Sequence, residues 1–159
     1  MTRRSLGVLA MTVLLTWSSS AQPALDPKSD EIIEAAFRQQ VSFWLTEDAR
    51  GAGTVVCLAV EQAGVAHSVA REYLPRFHEP SVRRGAECEG RPRGAVERTT
   101  GRPAVLLTVG PIVWKSPDEA WVTIRHFRSQ LSTAAQQYRV VKEQARWICL
   151  GQIMKMSPA

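Results

Sequence analysis

Apolar, β-branched segments follow one another through the last third of this chain with only short polar breaks, and that succession constrains the fold more than any other feature. RPAVLLTVGPIVW has the density of a buried strand, with Gly110 and Pro111 marking a bulge or bend. SPDEA then reads as a turn. AWVTIRHF alternates, placing Val122, Ile124 and His126 on one side and Trp121, Thr123 and Phe127 on the other. QQYRVVKEQARWICLGQIM supplies two further strands around a polar KEQAR turn, with Trp147 and Tyr138 expected as a cross-strand pair. Consecutive strands joined by short turns predict an antiparallel meander of about four strands.

A sheet with one apolar face needs a cover, and the first half of the chain offers one. SDEIIEAAFRQQVSFWL reads as a helix, with Ser29 or Asp30 as its cap and Ile33, Ala36, Phe37, Val41 and Trp44 on one face. Gly51 and Gly53 break the pattern. TVVCLAV is apolar at every second and every first position, as a strand buried on both sides must be. AHSVAREYLPRF reads as a second helix that Pro75 ends or distorts. From 81 to 103 arginine, glycine and proline dominate and apolar residues thin out, which predicts a long surface connection. The expected architecture is therefore α+β: an N-terminal helix on a curved antiparallel sheet, ordered helix–strand–helix and then the meander.

The N-terminus reads as an export signal. Arg3 and Arg4 precede the 13-residue uncharged run SLGVLAMTVLLTW, followed by the small residues SSSAQPA. A membrane span needs roughly 20 apolar residues, so this run fits a cleaved signal peptide, with the cut after Ala21. TRRSL also has a loose twin-arginine look, but two arginines are ordinary for the general route, which is the expected one. The expected organisation is a signal over 1–21, a loose lead-in over 22–30, and one domain over 31–156 carrying the basic loop at 81–103. The formal charge of +5 falls to about +3 once the signal arginines are removed. That is an argument about solubility and encounter, not about nucleic acid. The arginines at 83, 84, 91, 93, 98 and 102 have no interleaved aromatic residue on which bases could stack, and Glu87, Glu89 and Glu97 sit among them.

Cys57, Cys88 and Cys149 remain after cleavage. An oxidising compartment makes a disulfide expected, with one thiol left over. Pairing Cys57 with Cys88 would tie the basic loop to a central strand; pairing that involves Cys149 is the alternative. A nucleophilic Cys88 is disfavoured, because Glu87 and Glu89 flank it and oppose thiolate formation. There is no CxxC and no Cys/His cluster at ligand spacing, and His67, His78 and His126 lie far apart, so neither a metal nor a cofactor is expected.

The order of elements resembles the cystatin-like α+β architecture of the nuclear-transport-factor-like superfamily. Three pieces, the strand cysteine in VVCLAV, the segment PSVRRGAEC and the tail with AWVTI, YRVV and RWICLG, resemble small exported bacterial proteins of unknown function. The resemblance implies a long helix wrapped by a curved sheet with a pocket between them. Ketosteroid isomerases of that superfamily use an aspartate base and an oxyanion hole of tyrosine and protonated aspartate. Here only Tyr73 and Tyr138 are available and the acids fall mostly at turns or helix ends, so no catalytic role carries over. The expectation is a non-catalytic exported domain for a small apolar ligand or an envelope partner, with Trp44, Ile124 and His126 lining the pocket. The alternatives are an enzyme using His126 as acid and base, and a structural or complex-assembly subunit.

Overall fold

The computed structural model describes residues 25–48 and 53–156. The expected signal, its cleavage point and the glycine break at 51 lie outside the described residues.

The chain folds as one helix against a mixed sheet of many strands. Helix α1 (Pro27–Asp48) is 22 residues long, about 33 Å at 1.5 Å per residue. Its cap is Asp26, whose Oδ1 accepts hydrogen bonds from the Lys28 and Ser29 amides at 3.1 and 3.0 Å. The expected caps Ser29 and Asp30 lie inside the first turn, because Pro27 suits the first helical position and leaves Asp26 just ahead of it. Ile32, Ile33, Ala36, Phe37 and Val41 are buried along one face. Arg38 donates to Glu34 one turn away on the outside.

The strands are β1 (Val55–Gln62), β2 (Val65–Ser68), β3 (Val82–Arg84), β4 (Cys88–Arg91), β5 (Gly94–Glu97), β6 (Ala104–Ser116), β7 (Glu119–Ser129), β8 (Ser132–Glu143) and β9 (Arg146–Met156). A seven-stranded sheet runs β2-β1-β6-β7-β8-β9, with β3 also paired to β1. The pairing is antiparallel except at β1, which runs parallel to both β6 and β3. A helix–strand–helix order followed by a meander is thus corrected: β6 to β9 form only part of a mixed sheet, and the second helix does not form. AHSVAREYLPRF instead yields β2, which completes the edge of β1, and a 3₁₀ turn over Arg71–Arg76 with Pro75 inside it. The turn is held by its aromatic residues, since Tyr73 and Phe77 pack edge-on against Phe37 with ring centres 6.2 and 6.3 Å away.

The long surface connection is also corrected. Residues 81–103 contain β3, a 3₁₀ turn at Gly85–Glu87 and the β4–β5 hairpin, and that hairpin lies on the face of the sheet opposite α1. This explains the unbroken apolar run of β1. Val56, Leu58 and Val60 face the helix, while Val55 and Cys57 join Cys88, Ala95 and Ala104 under the hairpin. Cys57 and Cys88 form a disulfide across that second layer.

Gly110 belongs to the bulge that the sequence marks in β6, where the pairing with β7 shifts between Val109 and Ile112. Its φ is +129°, and a Cβ there would stand 2.7 Å from the Glu61 carbonyl oxygen, so only glycine fits. The expected Trp147–Tyr138 pair does not form: Trp147 stands opposite Lys142 and Tyr138 opposite Gln152. The turn at 144–145 sets Glu143 opposite Arg146, which leaves Trp147 four residues out of register with Tyr138, and Trp147 packs edge-on against Trp114 instead, with the Lys28 ammonium 4.3 Å above the Trp114 ring.

Candidate functional site

The helix-facing side of β7 carries Val122, Ile124 and His126 in a row, and α1 lays its C-terminal half over it. Trp44, two turns beyond Phe37 on the same helical stripe, reaches His126 with ring centres 5.0 Å apart and planes at 64°. Trp44 and His126 are therefore brought together. Ile124 lies one step deeper, at 2 % exposure within the helix–sheet core. It is a floor for the Trp44–His126 pair, not part of an open wall.

Two features give this end of the seam chemical character. The indole Nε1–H of Trp44 is buried with no hydrogen-bond acceptor among the described residues. Such a donor costs free energy of about 1–3 kcal/mol if left unmet. His126 is half-buried, and burial holds its imidazole below the ordinary value of 6.5, so the ring is neutral at neutral pH. Beside them lies a polar group that the sequence pattern did not single out. Gln136 stands opposite Ile124, and Tyr138 on the same face of β8 donates to Gln136 Oε1 at 2.5 Å. Gln40, one helical turn before Trp44, is buried and hydrogen-bonds Tyr138. Burial raises the Tyr138 phenol above its ordinary value, so it stays protonated and can donate. The available signal was the spacing: Gln40 shares the helix stripe with Trp44, and Gln136 shares the strand alternation with Tyr138.

The arginines of 81–103 are mostly spent on the fold. Arg83 Nε donates to Glu97 at 2.8 Å, Arg84 pairs with Glu87, and Glu89 holds both Arg91 and Arg98. Arg98 also donates to the Cys88 carbonyl, and Arg102 to the Gly53 carbonyl. The three glutamates among the arginines are thus what orders the segment. Cys149 is the free thiol; it packs against the helix-side core, and burial pushes it up to about 11, far from a reactive thiolate.

Clefts lined by described residues include three of about 540–690 Å³. One of about 690 Å³ separates the first turns of α1 from the β8–β9 turn. One of about 660 Å³ lies over the disulfide between the 3₁₀ turn at Gly85 and β1. One of about 540 Å³ lies at the tip of the β4–β5 hairpin. Trp44, Ile124 and His126 line none of these three.

The chain was compared with family models, with curated proteins and with solved structures, and it matches none of them. Among the described residues no helix is long and apolar enough to cross a membrane.

Proposed function

We propose that this chain is an exported, non-catalytic binding domain whose ligand sits at the Trp44–His126 end of the seam between α1 and the sheet. The observation that carries the reading is the buried Trp44 Nε1–H, a donor without an acceptor among the described residues, set 5.0 Å from a neutral imidazole. A small, mainly apolar molecule with one acceptor oxygen satisfies that donor and covers the indole face. Gln40, Gln136 and Tyr138 hold the rear of the seat in place through their hydrogen bonds. Export is supported by the Cys57–Cys88 cystine, a bond kept in oxidising compartments, and by the signal-like N-terminus. A cystatin-like relationship within the nuclear-transport-factor-like superfamily belongs to the same proposal, supported by one helix lying along a long sheet.

A second reading has one observation in its favour. An imidazole kept neutral by burial can accept a proton, so His126 would serve as the acid and base of an enzyme with the same seat.

The protein is to be produced with its own leader, isolated from the envelope and weighed intact under native conditions. A retained small molecule is expected. Trp44→Phe keeps an aromatic ring on the His126 side but removes the N–H together with the pyrrole ring, so occupancy should fall at least roughly five- to ten-fold with the fold intact, the effect of one neutral hydrogen bond plus lost contact area. An empty wild-type protein, or equal occupancy in the variant, would remove the seat. Turnover of the retained molecule that His126→Ala abolishes would replace the binding reading with the enzymatic one.

A further inference from the structure

Two turn tips meet at the back of the sheet, and they enclose charge that the fold does not use. The β4–β5 turn presents Pro92 and Arg93; the β7–β8 turn presents Gln130 and Leu131. They are held close by Gly94. Its φ is +149°, and a Cβ on it would lie 3.1 Å from the Arg128 carbonyl oxygen. Between the tips lies the 540 Å³ cleft, walled by Arg91, Arg93, Arg128, Ser129 and Ser132 over an apolar base that includes Val96. No carboxylate lines it.

Elsewhere in the segment the arginines are committed to Glu87, Glu89, Glu97 or a backbone carbonyl. Arg91 shares Glu89 with Arg98 and is partly neutralised. The side chains of Arg93 and Arg128 make no ion pair or hydrogen bond among the described residues. The uncompensated positive charge of this face is therefore concentrated at one concave place, where one sign of charge raises the local concentration of counter-ions.

We propose that this cleft binds a phosphate group carried by a small ester or a lipid head. The donors decide between oxyanions. A carboxylate has two oxygens in one plane, and a single guanidinium fork saturates it. Here guanidinium groups come from two separate turns and two hydroxyls join them, an arrangement that suits an anion whose oxygens point in several directions. Phosphate does so, and as a monoester it also carries a larger charge. Leu131, at the tip beside the cleft, is 100 % exposed. An apolar side chain held beside phosphate-directed arginines suits a lipid head, with Leu131 entering the acyl boundary. The site is separate from the Trp44 seat and does not depend on it.

The test uses the oxidised mature protein. Inorganic phosphate is titrated against amide NMR spectra at constant ionic strength, and phosphatidylcholine vesicles with and without phosphatidylglycerol are used in co-sedimentation. Phosphate should move the amides of 91–96 and 128–132. Arg93→Ala and Arg128→Ala should each weaken the effect roughly ten-fold, as loss of a charge-assisted hydrogen bond does. Arg139→Ala removes the same charge from a position paired with Glu119 at 2.8 Å, which shares no partner with the cleft, and should leave phosphate binding unchanged. A lipid source is indicated if phosphatidylglycerol vesicles retain the protein and Leu131→Ser releases it; a soluble ester is indicated if phosphate binds and the vesicles do not. The proposal is overturned if neither probe engages these residues. It is equally overturned if binding survives the Arg93→Ala/Arg128→Ala pair, or if Arg139→Ala weakens it as much as they do.

Discussion

Glu97 is 5 % exposed and carries more of the back layer than its position in a short hairpin suggests. Its carboxylate accepts from Arg83 at 2.8 Å and from the Thr100 hydroxyl, while its backbone amide donates to the Arg102 carbonyl. Arg83 in turn donates to the Pro80 and Val82 carbonyls, so one acid fixes both ends of the segment. The Thr100 hydrogen bond, helped by Arg83 and opposed by burial, holds the carboxyl below its ordinary 4.5. A carboxyl depressed in the folded state adds stability above its unfolded value and loses it as pH falls toward the folded value. The urea midpoint should therefore drop as the solution is acidified below about 4.5. Glu97→Gln should cost about 1–3 kcal/mol at neutral pH, because Arg83 keeps its place without a charge to meet it, and should flatten that acid dependence. Unchanged denaturation curves for Glu97→Gln would show that the back layer stands without this acid.

At the scale of elements, the β4–β5 hairpin has a thin apolar underside, Ala95 and Cys88 against Ala104, Leu106 and Phe127. The cystine supplements it. Closing a separation of 31 residues is worth roughly 3–4 kcal/mol in the chain-entropy account. Cys57→Ser/Cys88→Ser should lower stability by about that amount and raise amide exchange first in 85–97, while α1 and β6 to β8 keep most of their protection. Non-reducing peptide mapping should recover the 57–88 linked peptide from the wild-type protein, and two free thiols there would remove the staple. The same hairpin shows where sequence reasoning stops. Period-two alternation in β7 and the unbroken run of β1 report burial directly, so their faces were legible. β4 and β5 are built from arginine, glycine and glutamate, and their order comes from ion pairs whose partners sequence does not announce. The stretch around Tyr73 misleads for the opposite reason: its apolar spacing is helical, yet β2 is claimed by the open edge of β1. Of the candidate site, Trp44 and His126 were readable as residues on facing stripes. The missing acceptor at Trp44, and the meeting of Arg128 with Arg93, depend on how separate turns are folded together.

For the whole molecule, three layers result: α1, the mixed sheet and the disulfide-held hairpin. Two of these layers form from side chains that bury themselves, and the third relies on an oxidant, which makes compartment part of the fold. The proposed export predicts that N-terminal sequencing of the mature protein begins at Gln22, immediately after the expected cut. Recovery of the uncleaved chain from the soluble intracellular fraction would withdraw the export reading. The parallel pairing of β1 with β6 adds a matter of timing. No hairpin can join two strands that run the same way, so β1 must wait while everything up to residue 104 is made. Its sulfur partner at position 88 arrives after its edge partners β2 and β3 but sooner than β6. For a chain emerging in order, the covalent clasp is on offer before the neighbour that will finally shelter β1.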